Sequence, residues 1–480
     1  LHLRVDADLA DPDALAALPI RAGGEMSLFL PHAAWSVDFA GTAQVMRDHG
    51  SVYPSLHPTW HFEEVAFELV RPSLMQAGYI VDVGKGVWTA PWEAVGGPQI
   101  ISGGKAHLHP PAQRVTPGST IARDGGTTRQ ILLGWLAQGA RGFGLWAWNG
   151  RTVGWEAGES ALCEMDGTPG PRARAAGQVA AAGQRLRDEL WQARKEPLVG
   201  IFTDFDHDVF WAAASVGGRD HYKEMPARAR IGAARICLDA NLPYEHVTAA
   251  DLRAGLAARY RTIFLPAQLA LGADIIALLT DYVAAGGRVV LDAPGGWLGT
   301  DGRQLPTGRG SAFQRLFGVR VVNVQFGTPS DRPWTLRGER LHGFALELEP
   351  QGAAVAETFT EGGAAVTVNR HGRGEAVVVA HELAFACLAP GSAMRQQFAA
   401  RWLLGAHRVP FRCDGALCLR LNAPGAEHYI VINDAAAQSV YLVPEHGATA
   451  AEDVLTGAPV DLRAPLALNG WDARWIRLAR

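Results

Sequence analysis

Apolar and polar positions alternate between two kinds of pattern along the chain, and the kinds change twice. From 26 to 150, short apolar runs are separated by stretches with helical spacing. "MSLFLPHAA" (26–34) and "GSVYPSL" (50–56) read as strands running into loops. Phe62, Val65, Ala66 and Leu69 recur at helical spacing, and Pro72 ends or kinks that helix. "GYIVDVGKGVWTAPWEAVGG" (78–97) carries strand material as far as Glu93. A helix over 127–138 bears Ile131, Leu132, Leu133, Trp135 and Leu136, and "GARGFGLWAWNG" (139–150) is a fourth strand. Repetition of strand and helix predicts parallel pairing. A closed barrel of this type needs eight such units, and four are visible.

A long Ala- and Arg-rich helix over about 172–194 leads into the second pattern. "LVGIFTDFD" (198–206), "YRTIFLPAQLAL" (260–271), "GGRVVLDAPGG" (286–296) and "GEAVVVAHE" (374–382) are nearly continuous apolar runs. Runs of this kind suit strands covered on both faces. With helices over 226–240, 274–285 and 392–406, they predict a doubly wound α/β domain of roughly 197–408. From about 409 short alternating strands follow ("ALCLRLNAP", "EHYIVINDA", "SVYLVPE", "ARWIRLAR"), separated by Asn, Gly and Pro turns. They predict a small antiparallel β-sandwich.

Composition narrows the function. The 480 residues are 48% hydrophobic and 19% charged, which is a globular balance. A net charge of −4 offers no electrostatic reason for nucleic acid or an anionic membrane as partner. No run of about 18 apolar residues suggests a membrane span, and the absence of a basic–apolar leader pattern reads as a cytoplasmic protein. Five scattered cysteines form no disulfide framework and no zinc-type cluster. Cys413 and Cys418 flank a turn dipeptide, Asp414-Gly415. They read as two buried thiols, with a cross-turn pair as the alternative. No cofactor and no metal is expected. "DFDHD" (204–208) lacks the Gly and downstream Glu of a calcium loop, so Asp204, Asp206 and Asp208 read as solvated strand-end carboxylates. "DAPGG" (292–296) lies at a strand end suited to a ligand crevice but brings no nucleophile, and Cys387 falls too far past its strand for a nucleophile elbow.

Two stretches carry candidate chemistry. Glu93 follows Pro91 and Trp92 and precedes a Gly-rich run, so its backbone is held in a bend. A carboxylate walled by indoles at a barrel mouth can attack an anomeric carbon; a loop carboxylate in water has the same local sequence. Trp146 and Trp148 sit two apart at a strand end and share one face, with Glu156 in the following loop. They read either as an aromatic platform with a hydroxyl-gripping carboxylate or as core indoles beside a surface acid. His32 and Tyr53 end the first two strands, where either could reach the same mouth.

The stretch from His32 to Gln178 resembles the second half of the catalytic barrel of family 42 glycoside hydrolases, the β-galactosidase family. "HAAWS" (32–36) and "DHGSVYP" (48–54) are similar to two of its strand ends. "PWEAVGG" (91–97) looks like its Glu-x-Gln-x-Gly nucleophile motif, and "LWAWNGRTVGWEAGE" (145–159) resembles its eighth-strand segment. The resemblance implies the C-terminal half of a (β/α)8 TIM barrel over 1–195, a flavodoxin-like α/β domain of the trimer-building type over 196–408, and a small β-sandwich over 409–480. It implies a retaining glycosidase acting on β-linked galactosides or related sugars, with Glu93 as nucleophile. Trp148, Trp146 and Glu156 become substrate contacts, with Tyr53 and His32 beside them, and a homotrimer is implied as the assembly.

Two departures qualify that picture. Val95 stands where the family has Gln, a contact that Gln99 is placed to supply. The family's acid/base is a Glu in an Asn-Glu pair, and no Asn-Glu dipeptide occurs in the 480 residues. The acid/base is therefore expected in an upstream segment, and the chain is expected to be inactive alone. The alternative is a non-catalytic carbohydrate-binding or scaffold protein derived from a glycosidase.

Overall fold

The protein is seen here as a computed structural model, which describes residues 81–82, 98–102, 105–108, 120–122, 125–138, 143–144, 148, 162–164, 166–203, 207, 225–327, 334–341, 343–387 and 397–480. At its centre lies a seven-stranded sheet. Its strands run, in spatial order, Ala354–Thr358, Ala364–His371, Gly374–Val379, Arg288–Asp292, Thr262–Leu265, Val199–Thr203 and Tyr244–Thr248. The last five are mutually parallel and the first two antiparallel. Counted along the chain, the parallel strands lie in the order 2-1-3-4-5. The chain therefore reverses direction across the sheet between Val199–Thr203 and Thr262–Leu265.

The apolar runs explain why the middle of this sheet forms. Ile263, Phe264, Leu265, Val289, Val290, Leu291, Val377, Val378 and Val379 are all fully buried, as strands with helices on both faces must be. The Ala273–Ala284 helix places Ile275, Ile276, Leu279, Tyr282 and Val283 on one buried stripe. At its N-terminus the Ala249–Arg253 helix has a capping box: the Thr248 hydroxyl accepts from Asp251 N at 3.2 Å, and Asp251 Oδ2 accepts from Thr248 N at 2.8 Å. Several β elements were not legible in the pattern. Val319–Gly327 pairs with Gly343–Pro350 as an antiparallel ribbon, and Trp334–Leu336 pairs with Glu339–Leu341. The latter hairpin turns on Arg337 (φ 52°) and Gly338 (φ 80°), the paired left-handed residues of a two-residue turn.

The long helix expected over 172–194 is two helices, Pro171–Arg185 and Arg187–Gln192, with Leu186 between them at φ −103° and ψ 15°. Asp188 and Glu189 fall in the first turn of the second piece, where carboxylates favour a new N-terminus. Of the helix expected over 392–406, the described part ends in a π-helical turn, Ala399–Leu403.

The C-terminal region forms a five-stranded antiparallel sheet in the order Leu417–Ala423, Ala426–Asn433, Asp472–Ala479, Ala450–Asp453, Ala458–Asp461. Two short strand pairs cover it, Arg412–Cys413 with Leu442–Val443 and Gln438–Val440 with Leu466–Leu468. It is clamped to the rest of the chain by charge. Arg129 donates to both oxygens of Asp472 at 2.8 Å, Arg235 to Asp434 at 2.8 Å, and Arg477 to both oxygens of Glu189 at 2.7 Å. One apolar core runs through the seam, from Leu132 and Val179 to Leu417, Ile430 and Trp475.

Candidate functional site

The sequence places its glycosidase-type site between residues 32 and 156. Of the residues named there, Glu93, Trp146, Glu156, Tyr53 and His32 lie outside the described residues, as do Asp204, Asp206 and Asp208. Gln99 lies in the strand Pro98–Ser102, opposite His107 of Lys105–Leu108. Trp148 sits at a bend and is 56% exposed, and its carbonyl accepts from Cys163 N at 3.0 Å.

The surroundings of the site are partly visible. Val81–Asp82 pairs in parallel with Phe143–Gly144, and the Gly125–Gln138 helix stands between them in the chain. A parallel pair joined through a helix is the β–α–β unit that the alternating pattern predicts. Farther along the chain, Pro98–Ser102, Lys105–Leu108 and Thr120–Ala122 form a three-stranded antiparallel sheet. The helix is anchored from behind: Gln130 donates to the Asn433 carbonyl at 2.7 Å, and Arg129 grips Asp472. Packing against the C-terminal sandwich therefore holds the helix that precedes the Phe143–Gly144 strand and, beyond it, Trp148.

A second group of polar residues gathers at the C-terminal edge of the parallel sheet, where open α/β folds place ligands. His207, Arg230, Gln268, Asp292, His381 and Glu382 are all buried there. Asp292 ends its strand and accepts from the Ala267 and Ala384 backbone amides, the latter at 2.9 Å. Burial pushes its carboxyl up to about 7. Burial also holds Glu382 well above the usual carboxylate range, and the charge of Asp292 adds to this. Burial lowers His381 to about 3, and among the described residues neither of its ring nitrogens has a hydrogen-bond partner. His207 is held well below its usual range by burial and then by Arg230, and its Nδ1 accepts from Leu269 N at 2.9 Å. These directions favour the neutral forms of the two histidines and of Glu382 beside the Arg230 guanidinium. Asp292 serves as a staple between the loops after two neighbouring strands and the short Leu383–Ala386 helix. The sequence signal was present in polar residues ending apolar runs, "FLPAQ" and "VVVAHE", but which of them meet is decided by strand order. Cys387 caps the Leu383–Ala386 helix and is buried.

Among the described residues, Glu427, Glu445 and His446 bring potential metal-ligand atoms within 4.8 Å of one another. Their carboxylates are already occupied. Glu427 accepts from Arg480 and from Tyr429 (2.7 Å), and Glu445 accepts from Arg420 at 2.5 Å. These are carboxylate–arginine pairs, and no metal role is assigned to them. No described helix is long and apolar enough to cross a membrane.

Residues 248–400 match the family model described as the β-galactosidase trimerisation domain. The fold of nearly the whole chain is similar to solved GH42 β-galactosidases. A catalytic mutant of Gan42B from G. stearothermophilus aligns with TM-score 0.65 and 16% identity over 95% of this chain and 60% of its own. The β-galactosidase from Bacillus circulans sp. alkalophilus aligns with TM-score 0.64 and 15% identity over 95% and 63%. That from the haloarchaeon Halorubrum lacusprofundi gives TM-score 0.58 and 15% identity over 95% and 60%. The chain thus spans about three-fifths of the length of these solved structures. Among curated proteins none matches it significantly.

Proposed function

We propose that this chain is the greater part of a retaining glycoside hydrolase of the β-galactosidase type, with Glu93 as its nucleophile. The observation that carries this is a coincidence of two independent likenesses. "PWEAVGG" and "LWAWNGRTVGWEAGE" resemble the nucleophile and sugar-holding segments of family 42, and the fold similarity to GH42 β-galactosidases extends over 95% of the chain. The parallel pairing of Val81–Asp82 with Phe143–Gly144 supports reading 1–195 as part of a β/α barrel. The 2-1-3-4-5 strand order supports a flavodoxin-like reading of 196–408, and the trimerisation-domain match supports self-association as a homotrimer.

In this reading Glu93 attacks the anomeric carbon, the glycosidic bond breaks, and a covalent glycosyl-enzyme forms through an oxocarbenium-like transition state. An acid/base carboxyl about 5–5.5 Å away protonates the leaving oxygen and then activates water. Trp148 and Trp146 cover the apolar face of the sugar, and Glu156 accepts from its hydroxyls. His32, Tyr53 and Gln99 border the same mouth.

The test is turnover of a nitrophenyl β-galactoside by the protein carrying its whole catalytic domain. Glu93→Ala should lower kcat by about a thousandfold or more, and azide should restore turnover with an inverted glycosyl azide as product. Unchanged turnover in Glu93→Ala removes that residue from the role. Val95 in place of the family's Gln favours one other reading, a carbohydrate-binding protein without turnover; galactose binding by calorimetry with no hydrolysis would single it out.

A further inference from the structure

The C-terminal sandwich contains a pair of thiols that its fold brings together. Cys413 ends the short strand Arg412–Cys413, and Cys418 is the second residue of Leu417–Ala423. Asp414 and Gly415 turn the chain between them, with Gly415 at φ 96°. The two cysteines are paired to different strands, Cys413 opposite Leu442 and Cys418 opposite Val431. Their side chains nevertheless converge in one apolar cluster with Phe411, Ala416, Tyr429 and Val440. There burial, and after it the neighbouring Cys413, holds the Cys418 thiol well above its usual range. They are 1% and 3% exposed, and neither is disulfide-linked. None of the other three cysteines shares this cluster. The pair also lies at a seam, because the Cys413 amide donates to Asn241 Oδ1 at 3.1 Å, just beyond the Met225–Asp239 helix of the central domain.

We propose that Cys413 and Cys418 are a redox modification site, forming a reversible internal disulfide when the protein meets a low-molecular-weight disulfide oxidant. One thiol loses its proton to solvent, and the thiolate attacks a sulfur of the oxidant. The oxidant's S–S bond breaks and one small thiolate leaves. The second cysteine, deprotonated in turn, attacks the mixed disulfide and expels the other small thiolate. The protein loses two electrons and two protons, and the oxidant is reduced to two thiols. Burial raises the Cys418 thiol, with Cys413 adding to the effect, so little thiolate is present in the closed state. Oxidation therefore proceeds through local opening of the 412–418 turn and quickens in mild urea.

Trypsin releases both cysteines on one peptide, residues 413–420, because Arg412 and Arg420 flank it. The full chain is incubated with glutathione disulfide, unfolded in iodoacetamide and digested. The expected peptide carries no alkyl group and is lighter by two hydrogens, about 2 Da, and dithiothreitol converts it to the doubly alkylated form. In Cys413→Ser the intermediate cannot resolve, so Cys418 should accumulate one glutathione; Cys418→Ala should trap it on Cys413. Recovery of the doubly alkylated peptide under conditions that oxidise a small dithiol control would overturn the proposal. So would disulfides joining either residue to Cys163, Cys237 or Cys387, or stable glutathione on both cysteines of the unsubstituted chain.

Discussion

The indole N–H of Trp475 donates to Nδ1 of His428 at 3.1 Å, in a place where the imidazole is fully buried. Because an indole nitrogen can only donate, Nδ1 must accept, and the neutral ring carries its proton on Nε2. That nitrogen lies 2.8 Å from Glu189 Oε1, and Glu189 is itself held below the usual carboxylate range by Arg477. A strand of the sandwich is thus locked to the Arg187–Gln192 helix by a ring in one tautomer and one charge state.

That lock predicts a pH dependence. Burial lowers His428 from 6.5 to about 4, against the partial opposition of Glu189. A depressed histidine contributes fully above its unfolded value and loses that contribution as pH falls from about 6.5 towards 4. The loss amounts to about 3 kcal/mol. Asp292, raised to about 7, acts in the opposite sense over much of the same range. The isolating measurement is therefore a difference. Urea denaturation of wild type and His428→Gln at pH 7.5 and pH 4 should show the wild type losing about 3 kcal/mol relative to the variant.

The Arg129–Asp472 pair predicts a coupling across the seam. Its fork geometry, with two bonds at 2.8 Å and both side chains largely buried, puts it above an exposed ion pair. Arg129→Met or Asp472→Asn should each cost about 2–4 kcal/mol. A double-mutant cycle by chemical denaturation should return a coupling of about 1–3 kcal/mol; additivity within error would deny the pair an energetic role.

Two helical glycines should respond in opposite ways to alanine. A Cβ on Gly232 would stand 1.8 Å from the Ala384 carbonyl oxygen, whereas at Gly177 nothing lies within 4 Å. Gly232→Ala forces apart the Met225–Asp239 and Leu383–Ala386 helices and should cost about 3 kcal/mol or more. Gly177→Ala should raise stability by up to about 1 kcal/mol, because the unfolded chain loses more freedom than the helix does. Thermal melts of the two variants check both signs.

For the proposed sugar platform, Trp148→Ala should raise KM about tenfold while kcat changes by less than about threefold, as expected for an indole that binds ground and transition states alike. Trp191, an exposed indole on the Arg187–Gln192 helix, serves as the control. Its replacement by alanine should leave both constants unchanged.

Elements whose burial is nearly complete were legible in the sequence. Thr262–Leu265, Arg288–Asp292 and Gly374–Val379 came from unbroken apolar runs, and Ala273–Ala284 from its stripe. Tyr244–Thr248 did not, because its polar Glu245 and His246 interrupt the run at the sheet's edge. The ribbon Val319–Gly327 escaped for a related reason: half-exposed strands carry polar residues at every second position and read as loop. At the proposed site, Glu93 stood out through its stiff Pro-Trp and Gly-Gly context and the two tryptophans through their spacing at a strand end. Asp292 was noticed only as a strand end; that its oxygens would staple two backbone amides depends on which loops the strand order brings near it.

What the amino-acid order determined alone was periodicity and punctuation: where the chain is apolar at period two, at helical period or continuously, and where Pro and Gly break it. Those are local properties, set by backbone sterics and the need to bury apolar side chains. Tertiary structure alone decided the long-range partners. Arg129 meets Asp472 across 343 positions and Arg477 meets Glu189 across 288. Cys413 and Cys418 share one apolar cluster although their strands pair elsewhere. No local rule selects such contacts, because each charge or thiol has many equivalent partners in sequence. Only the packing of the sandwich onto the helices leaves one within reach.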